Sequence, residues 1–217
     1  MKNLIFVLVI ITFITIGCSR FFNQYEQRGC QIEGADKPKT AFDYFNLAIR
    51  HKEKHQSDCQ FYACQQAVNL DANDARVYLC RGIAYYDYQK DYRNAINDLT
   101  VAIQMQPSGF EGYTNYSARA LIHEKEEQLE PALADYQSAL EHSIPADRPF
   151  VKFNIAEIYL RQNNLDLALT TINEALAHNS TSHIFYFLRA EIYRKQGKNE
   201  LADADEKKSM ELRKAKK

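Results

Sequence analysis

The sequence predicts an all-α protein in which pairs of helices repeat along the chain. Beyond residue 40 the apolar residues recur with the period of amphipathic helices, about 3.6 residues. Small residues recur at a near-constant spacing within that pattern. Glycine and proline are scarce, at 7 and 5 of 217 residues, which argues against hairpin-rich, collagen-like or disordered chains.

The composition also limits the function classes. Apolar residues make up 46 % of the chain, which is enough for a core. Lysine and arginine (27) balance aspartate and glutamate (28), so the formal net charge is −1. Because binding to phosphate backbones needs a basic surface, we expect no nucleic-acid partner.

The first seventeen residues resemble a secretory signal peptide. Lys2 precedes an apolar run from Leu4 to Ile16, which is too short to span a hydrocarbon core of roughly 30 Å. Gly17 and Cys18 then end the run and resemble the lipobox of bacterial lipoproteins. In that family the cysteine receives diacylglycerol and becomes the mature N-terminus. The alternatives are an ordinary signal peptide, or an uncleaved anchor, with Cys18 incidental.

The resemblance implies a lipid anchor at Cys18 and a tether over residues 18–40. Glycines and Pro38 interrupt this segment, and it shows no sustained helical period. Ser19 follows the cysteine, and in the usual sorting rule of diderm lipoproteins a serine there permits export to the outer membrane. We therefore expect a protein of the cell envelope, on the periplasmic face of the outer membrane.

The clearest repeat covers residues 75–108. Its key positions are Tyr78, Gly82, Tyr85, Ala95, Leu99, Ala102 and Pro107. They resemble the tetratricopeptide signature, in which an aromatic, a small residue and a tyrosine precede a second helix with two small residues and a closing proline. Arg81 stands where the family usually has leucine, and we place one extra residue in the turn near Lys90 and Asp91.

Four further copies occupy residues 41–74, 113–146, 149–182 and 183–216. The small residues let paired helices approach closely, Gly82 against Ala95 and Ala156 against Ala168. One pair cannot bury both of its faces, so such pairs stack. The resemblance thus implies a right-handed α-solenoid of about five repeats over residues 41–217.

In this family the first helix of each pair lines a concave groove that binds other proteins. We expect the helical stripe beside the small residues to face that groove. The stripe consists of Phe45, Ile83, Tyr86, Phe150, Phe153, Asn154, Glu157, Arg161, Phe187, Glu191 and Arg194. The alternative is that some of these side chains pack against the adjoining repeat. Only Asn154 matches the family's clamp for a C-terminal carboxylate, so we do not predict that mode of binding.

Four further cysteines allow two disulfides in an exported chain. Cys59 and Cys64 lie roughly 140° apart on one helix and cannot pair with each other. Cys64 can pair with Cys80 on the next helix, and Cys30 with Cys59 would pin the tether to the array. The alternative is four buried free thiols.

No metal, cofactor or catalytic residue is predicted. His51, His55 and Cys59 have helical spacing, but a turn near Ser57 interrupts it and a fourth ligand is missing. The chain has no phosphate loop, Gly-x-Ser-x-Gly elbow or HExxH helix.

The sequence therefore predicts a membrane-anchored scaffold or adaptor that binds envelope proteins, for example components of a pilus, outer-membrane or cell-wall machine. A module that binds peptidoglycan or a small ligand, and an envelope enzyme, remain the alternatives.

Overall fold

The computed structural model describes Cys30 and residues 38–215, and all regular secondary structure in this part of the chain is helical. The predicted signal peptide, the lipidated Cys18 and most of the tether lie outside the described residues. No helix among those described is long and apolar enough to cross a membrane. The predicted fold class, an all-α solenoid, is confirmed.

The described helices follow one another as five consecutive pairs. They are α1 (Ala41–Glu53), α2 (Ser57–Leu70), α3 (Ala75–Ala84), a π-helical turn (Tyr85–Gln89), α4 (Tyr92–Met105), α5 (Gly109–Lys125), α6 (Leu129–His142), α7 (Arg148–Arg161), α8 (Leu165–His178), α9 (His183–Lys195) and α10 (Asn199–Ala215). The first helix of the third pair begins at Gly109, four residues before the predicted start of that repeat at residue 113.

The chain divides into two compact units. The first ends at Asn73 and contains α1 and α2, and the second begins at Asp74 and contains α3 to α10. In the first unit, the Thr40 hydroxyl accepts a hydrogen bond from the Asp43 backbone N–H, and the Asp43 carboxylate accepts one from the Thr40 N–H. This reciprocal capping box fixes the start of α1.

Small residues occupy the helix crossings of the second unit, as the sequence predicts. Gly82 is buried where α3 meets α4, and a Cβ there would lie 3.0 Å from Leu99 Cγ and 3.2 Å from the Ala95 carbonyl oxygen. Ala120, Ala156 and Ala190, at the corresponding positions of the next three pairs, are fully buried. A larger side chain would therefore push the paired helices apart.

Each core cluster of the second unit is completed by the next repeat. Around Ala156 and Ala168 the pair α7–α8 packs against Phe185, Leu188 and Ile192 of α9. Around Ala120 and Ala132 the pair α5–α6 is covered in the same way by Val151, Ile155 and Ile158 of α7. Stacking thus buries the apolar face that a single pair would leave open.

The turns inside the pairs share one backbone conformation. The left-handed residue is His55, Lys90, Glu127, Asn163 or Gly197, with φ between 55° and 75° in all five. The extra residue that the sequence placed in the turn near Lys90 and Asp91 is present, but it lies earlier in the chain. The π-helical turn Tyr85–Gln89 widens the end of the first helix by one residue, and Lys90 then takes the ordinary turn conformation.

Candidate protein-binding groove

The second unit carries ten of the eleven predicted groove residues, all on the first members of its helix pairs. Ile83 lies on α3 and Tyr86 in the π-helical turn that follows it. The others lie on α7 and α9. We name this set the groove face, and we add two neighbours with the same register, Leu121 on α5 and Ile184 on α9.

Large apolar side chains of the groove face are open to solvent. Phe150 is 45 % exposed, Phe187 53 % and Leu121 40 %. Phe153 is half-buried, and its ring stacks on that of Phe185 with 5.5 Å between centroids. The Phe150 ring meets Phe185 edge-on at 5.4 Å. Phe150 and Phe153 therefore brace α7 against α9 and also present apolar surface.

Arg161 is already held by two carboxylates. Its guanidinium donates to Glu124 Oε1 at 3.1 Å and to Glu127 Oε2 at 2.6 Å. The buried Tyr136 hydroxyl donates to the other oxygen of Glu124, at 3.3 Å. Burial raises the pKa of Tyr136, and the nearby Glu124 carboxylate raises it further, so this hydroxyl remains a donor.

Arg194 is held in a similar way on α9. It donates to Glu206 at 2.7 Å and to Asp203 at 3.2 Å, both on α10. The hydrogen bond to Glu206 is the main reason that the pKa of Arg194 is raised. Both arginines of the predicted groove are thus paired with carboxylates of the same chain.

Glu157 and Glu191 are different. Among the described residues, neither carboxylate has a hydrogen bond or an ion pair, and Glu157 is half-buried while Glu191 is exposed. Burial raises the pKa of Glu157, and the charges of Glu124 and Glu191 add to that effect, while Arg161 and Lys125 oppose it.

Three arginine–aspartate pairs lie behind the groove face, and the sequence reasoning missed them. Arg81 binds Asp98, Arg119 binds Asp135 and Arg189 binds Asp205, each through two hydrogen bonds of 2.7–2.9 Å. In each pair the arginine precedes the small crossing residue. The aspartate follows the first small residue of the second helix by three positions. This spacing is visible in the sequence and could have revealed the pairs.

Each arginine of these pairs also lies over tyrosine rings of its own helix. Arg81 Cζ is 5.7 Å from the centre of the Tyr78 ring, and Arg189 Cζ is 5.5 Å from that of Tyr186. The departure of Arg81 from the family's usual leucine is therefore compensated by a carboxylate and by aromatic faces.

The eleventh predicted residue, Phe45, lies half-buried on α1 in the first unit. Its neighbours Phe42 and Ile49 are 58 % and 43 % exposed. Apolar surface is thus present on the first helix of this pair too.

A disulfide joins Cys30 to Cys59 of α2 within the first unit, and Tyr62 packs against it. The pairing of Cys64 with Cys80 stays a prediction. Cys59 is engaged in the disulfide, and His51 Nδ1 lies 2.8 Å from Gln56 Oε1, so two members of the His51–His55–Cys59 spacing have other partners. No cluster of metal-ligating side chains occurs in the described part of the chain.

A family comparison agrees with this geometry. Residues 117–182 and 153–206 match the family described as tetratricopeptide repeat. The two overlapping matches together cover residues 117–206. No curated protein matches the sequence.

Solved structures share the fold over most of the chain. MamA from Desulfovibrio magneticus RS-1 is 16 % identical with a TM-score of 0.71, covering 83 % of this chain and 98 % of its own. YrrB, a tetratricopeptide protein described as having an unusual peptide-binding site, is 17 % identical with a TM-score of 0.62, covering 88 % and 91 %.

The Pseudomonas aeruginosa protein PilF is similar over a shorter part. It is 12 % identical with a TM-score of 0.68, covering 76 % of this chain and 72 % of its own. At these identities the likeness shows the fold alone.

Proposed function

We propose that this protein is a lipid-anchored scaffold or adaptor of the cell envelope. It binds an extended or helical segment of a partner protein along the groove face. The observation that carries the proposal is the exposure of Phe187 and Phe150, at 53 % and 45 %, on neighbouring first helices of a tetratricopeptide stack. Exposed aromatic side chains supply contact area at low entropic cost.

The anchor and the location rest on the sequence. Gly17 and Cys18 end the apolar run as in a lipobox, and Ser19 agrees with sorting to the outer membrane. The partners would then be components of an envelope assembly machine, such as one that builds a pilus, the outer membrane or the cell wall. The likeness to PilF, a protein with the same fold, is compatible with this role.

Scaffolding is favoured over catalysis. The polar groups of the groove face are engaged in ion pairs or stand alone, and none of the described residues there forms a nucleophile–base pair. Repeats of this family typically act as scaffolds without catalysis.

In-cell photocrosslinking tests the groove. A photoreactive residue at position 187 should capture a defined partner, whereas one at position 167 should not. Leu167 is a matched control because it is 45 % exposed but lies on α8, a second helix of its pair. Equal capture from both positions, or from neither, would contradict the proposal.

The anchor is tested separately by metabolic labelling with a lipid analogue. The native chain should take up label and the Cys18→Ser variant should not. Label on the Cys18→Ser protein would contradict the lipid-anchor proposal, but it would not affect the groove proposal.

A further inference from the structure

We propose that the groove face selects partner segments in which a lysine or arginine lies between apolar side chains, and that Glu157 and Glu191 receive this cation. The inference rests on the proposed function, because it names the chemistry of the segment that the groove face binds.

The arginines of the groove face are paired within the chain. Arg161 is shared between Glu124 and Glu127, and Arg194 between Asp203 and Glu206, so each guanidinium meets two carboxylates. An acidic partner would therefore have to compete with these carboxylates for either arginine. Lys125 and Lys195 are exposed at the ends of α5 and α9.

Glu157 and Glu191 present carboxylates that form no ion pair with the described residues. Glu157 is half-buried near the carboxylates of Glu124 and Glu191, and no described group gives it a hydrogen bond. The charges of Arg161 and Lys125 act in the opposite direction, but the pKa of Glu157 is raised on balance. A carboxylate in such a place favours an incoming cation, because a charge-assisted hydrogen bond compensates for hydration lost on burial and the positive charge offsets the repulsion. A carboxylate from the partner would add to the repulsion instead.

Apolar surface lies next to these carboxylates. Phe153 lies four residues before Glu157, and Phe187 four residues before Glu191, so on each helix an aromatic ring and a carboxylate are neighbours one turn apart. The aliphatic stem of a lysine or arginine can lie along such rings while its charged end reaches the carboxylate. Apolar side chains on either side of the cation would meet Phe150, Ile184 and Leu121, which are exposed.

Peptide titration tests the inference with the purified full chain. The probes are fluorescent 15-residue peptides, blocked at both ends, with a leucine- and phenylalanine-containing sequence around a central lysine, glutamine or glutamate. We expect lysine peptides to bind about tenfold more tightly than glutamine peptides, and glutamate peptides to bind most weakly. The lysine preference should shrink as salt is raised.

Two variants localise the effect. The double variant Glu157→Gln with Glu191→Gln should lose the lysine preference while still binding the glutamine peptides. Glu130→Gln is the matched control, because Glu130 is an exposed carboxylate on α6, a second helix. It should keep the full preference, and circular dichroism of both proteins checks that they are folded.

The outcomes separate this inference from the proposed function. If the peptides bind and Phe187→Ala weakens all of them, but glutamate peptides bind as well as lysine peptides, the inference is overturned and the groove stands. The same holds if the double variant keeps the lysine preference. If no peptide binds, or if Phe187→Ala changes nothing, both fail. Self-association of the chain that Phe187→Ala abolishes, without peptide binding, would assign the face to a second copy and overturn the inference.

Discussion

Arg119 of α5 and Asp135 of α6 form a two-point ion pair across the third helix pair. Arg119 donates from Nε and Nη2 to the two carboxylate oxygens at 2.8 and 2.7 Å, and from Nη1 to Thr100 of α4 at 2.9 Å. One guanidinium thus joins three helices. Arg189 does the same with Asp205 and with Asn173 of α8. The pairs therefore bind one repeat to the repeat before it.

Removing one partner of this pair should be costly. The side chains are 19 % and 8 % exposed, so Arg119→Ala leaves the carboxylate of Asp135 buried without its cation. We expect a loss of about 2–3 kcal/mol in the free energy of unfolding. Urea denaturation followed by circular dichroism measures the loss.

Another repeat of the chain suggests a double variant that should restore the lost stability. In the fourth pair, Ile155 and Thr171 stand where Arg119 and Asp135 stand in the third. The double variant Arg119→Ile with Asp135→Thr should therefore recover most of the loss. The exposed pair Arg194–Asp203 is the control, and Asp203→Asn should change stability by less than about 0.5 kcal/mol. An Arg119→Ala protein as stable as the native one would contradict a stabilising role for the Arg119–Asp135 ion pair.

Much of the fold could be predicted because its determinants are local. The spacing of small residues predicts the positions of the helix crossings, because only small residues fit there. These residues are Gly82, Ala120, Ala156 and Ala190. For the groove, the sequence could predict only which residues share one face of each helix, and not their contacts. Helical spacing alone does not show that Phe153 stacks on Phe185, or that Glu124 and Glu127 hold Arg161. These contacts depend on which residues of neighbouring pairs meet, which the stacking of the helices determines.

The left-handed turn residues give a second test. His55 has φ of 56°, a conformation that costs a residue with a Cβ about 1 kcal/mol relative to glycine. His55→Gly should therefore raise the midpoint of denaturation. His55→Ala should not raise it, because alanine keeps the strain.

At Gly197 the opposite substitution, from glycine to alanine, can be made. It has φ of 75°, and a Cβ there would meet no atom within 4 Å, so Gly197→Ala alters only the backbone preference. We expect a loss of about 1 kcal/mol. A stabilised Gly197→Ala protein would show that the turn is not under this constraint.

The cysteines can be mapped by alkylation without reductant. Cys30 and Cys59 should resist alkylation, because they are joined in the structure. Since that bond closes a separation of 29 residues, its reduction should lower the stability of the first unit by about 2–4 kcal/mol. Protection of Cys64 and Cys80 is expected if they also pair. Four alkylated thiols would rule out both disulfides.

Glu157 should make stability depend on pH in the direction opposite to that of a salt-bridged acid. Because burial and the neighbouring Glu124 and Glu191 raise its pKa in the folded chain above the ordinary 4.5, the folded state holds this proton more tightly than the unfolded state. The contribution of Glu157 to stability is therefore full below pH 4.5 and falls as the pH rises through the folded pKa.

Glu157→Gln removes this titration. The variant should be more stable than the native chain at pH 7 and should lose the difference as the pH falls toward 4.5. Urea midpoints of the two proteins over this range measure it, with Glu130→Gln as the exposed control, which should show no gain in stability at pH 7. A Glu157→Gln protein that is less stable at pH 7 would mean that the carboxylate has a stabilising partner. If the variant is more stable at pH 7 and also binds lysine peptides more weakly, the Glu157 carboxylate destabilises the free protein but contributes to binding the partner.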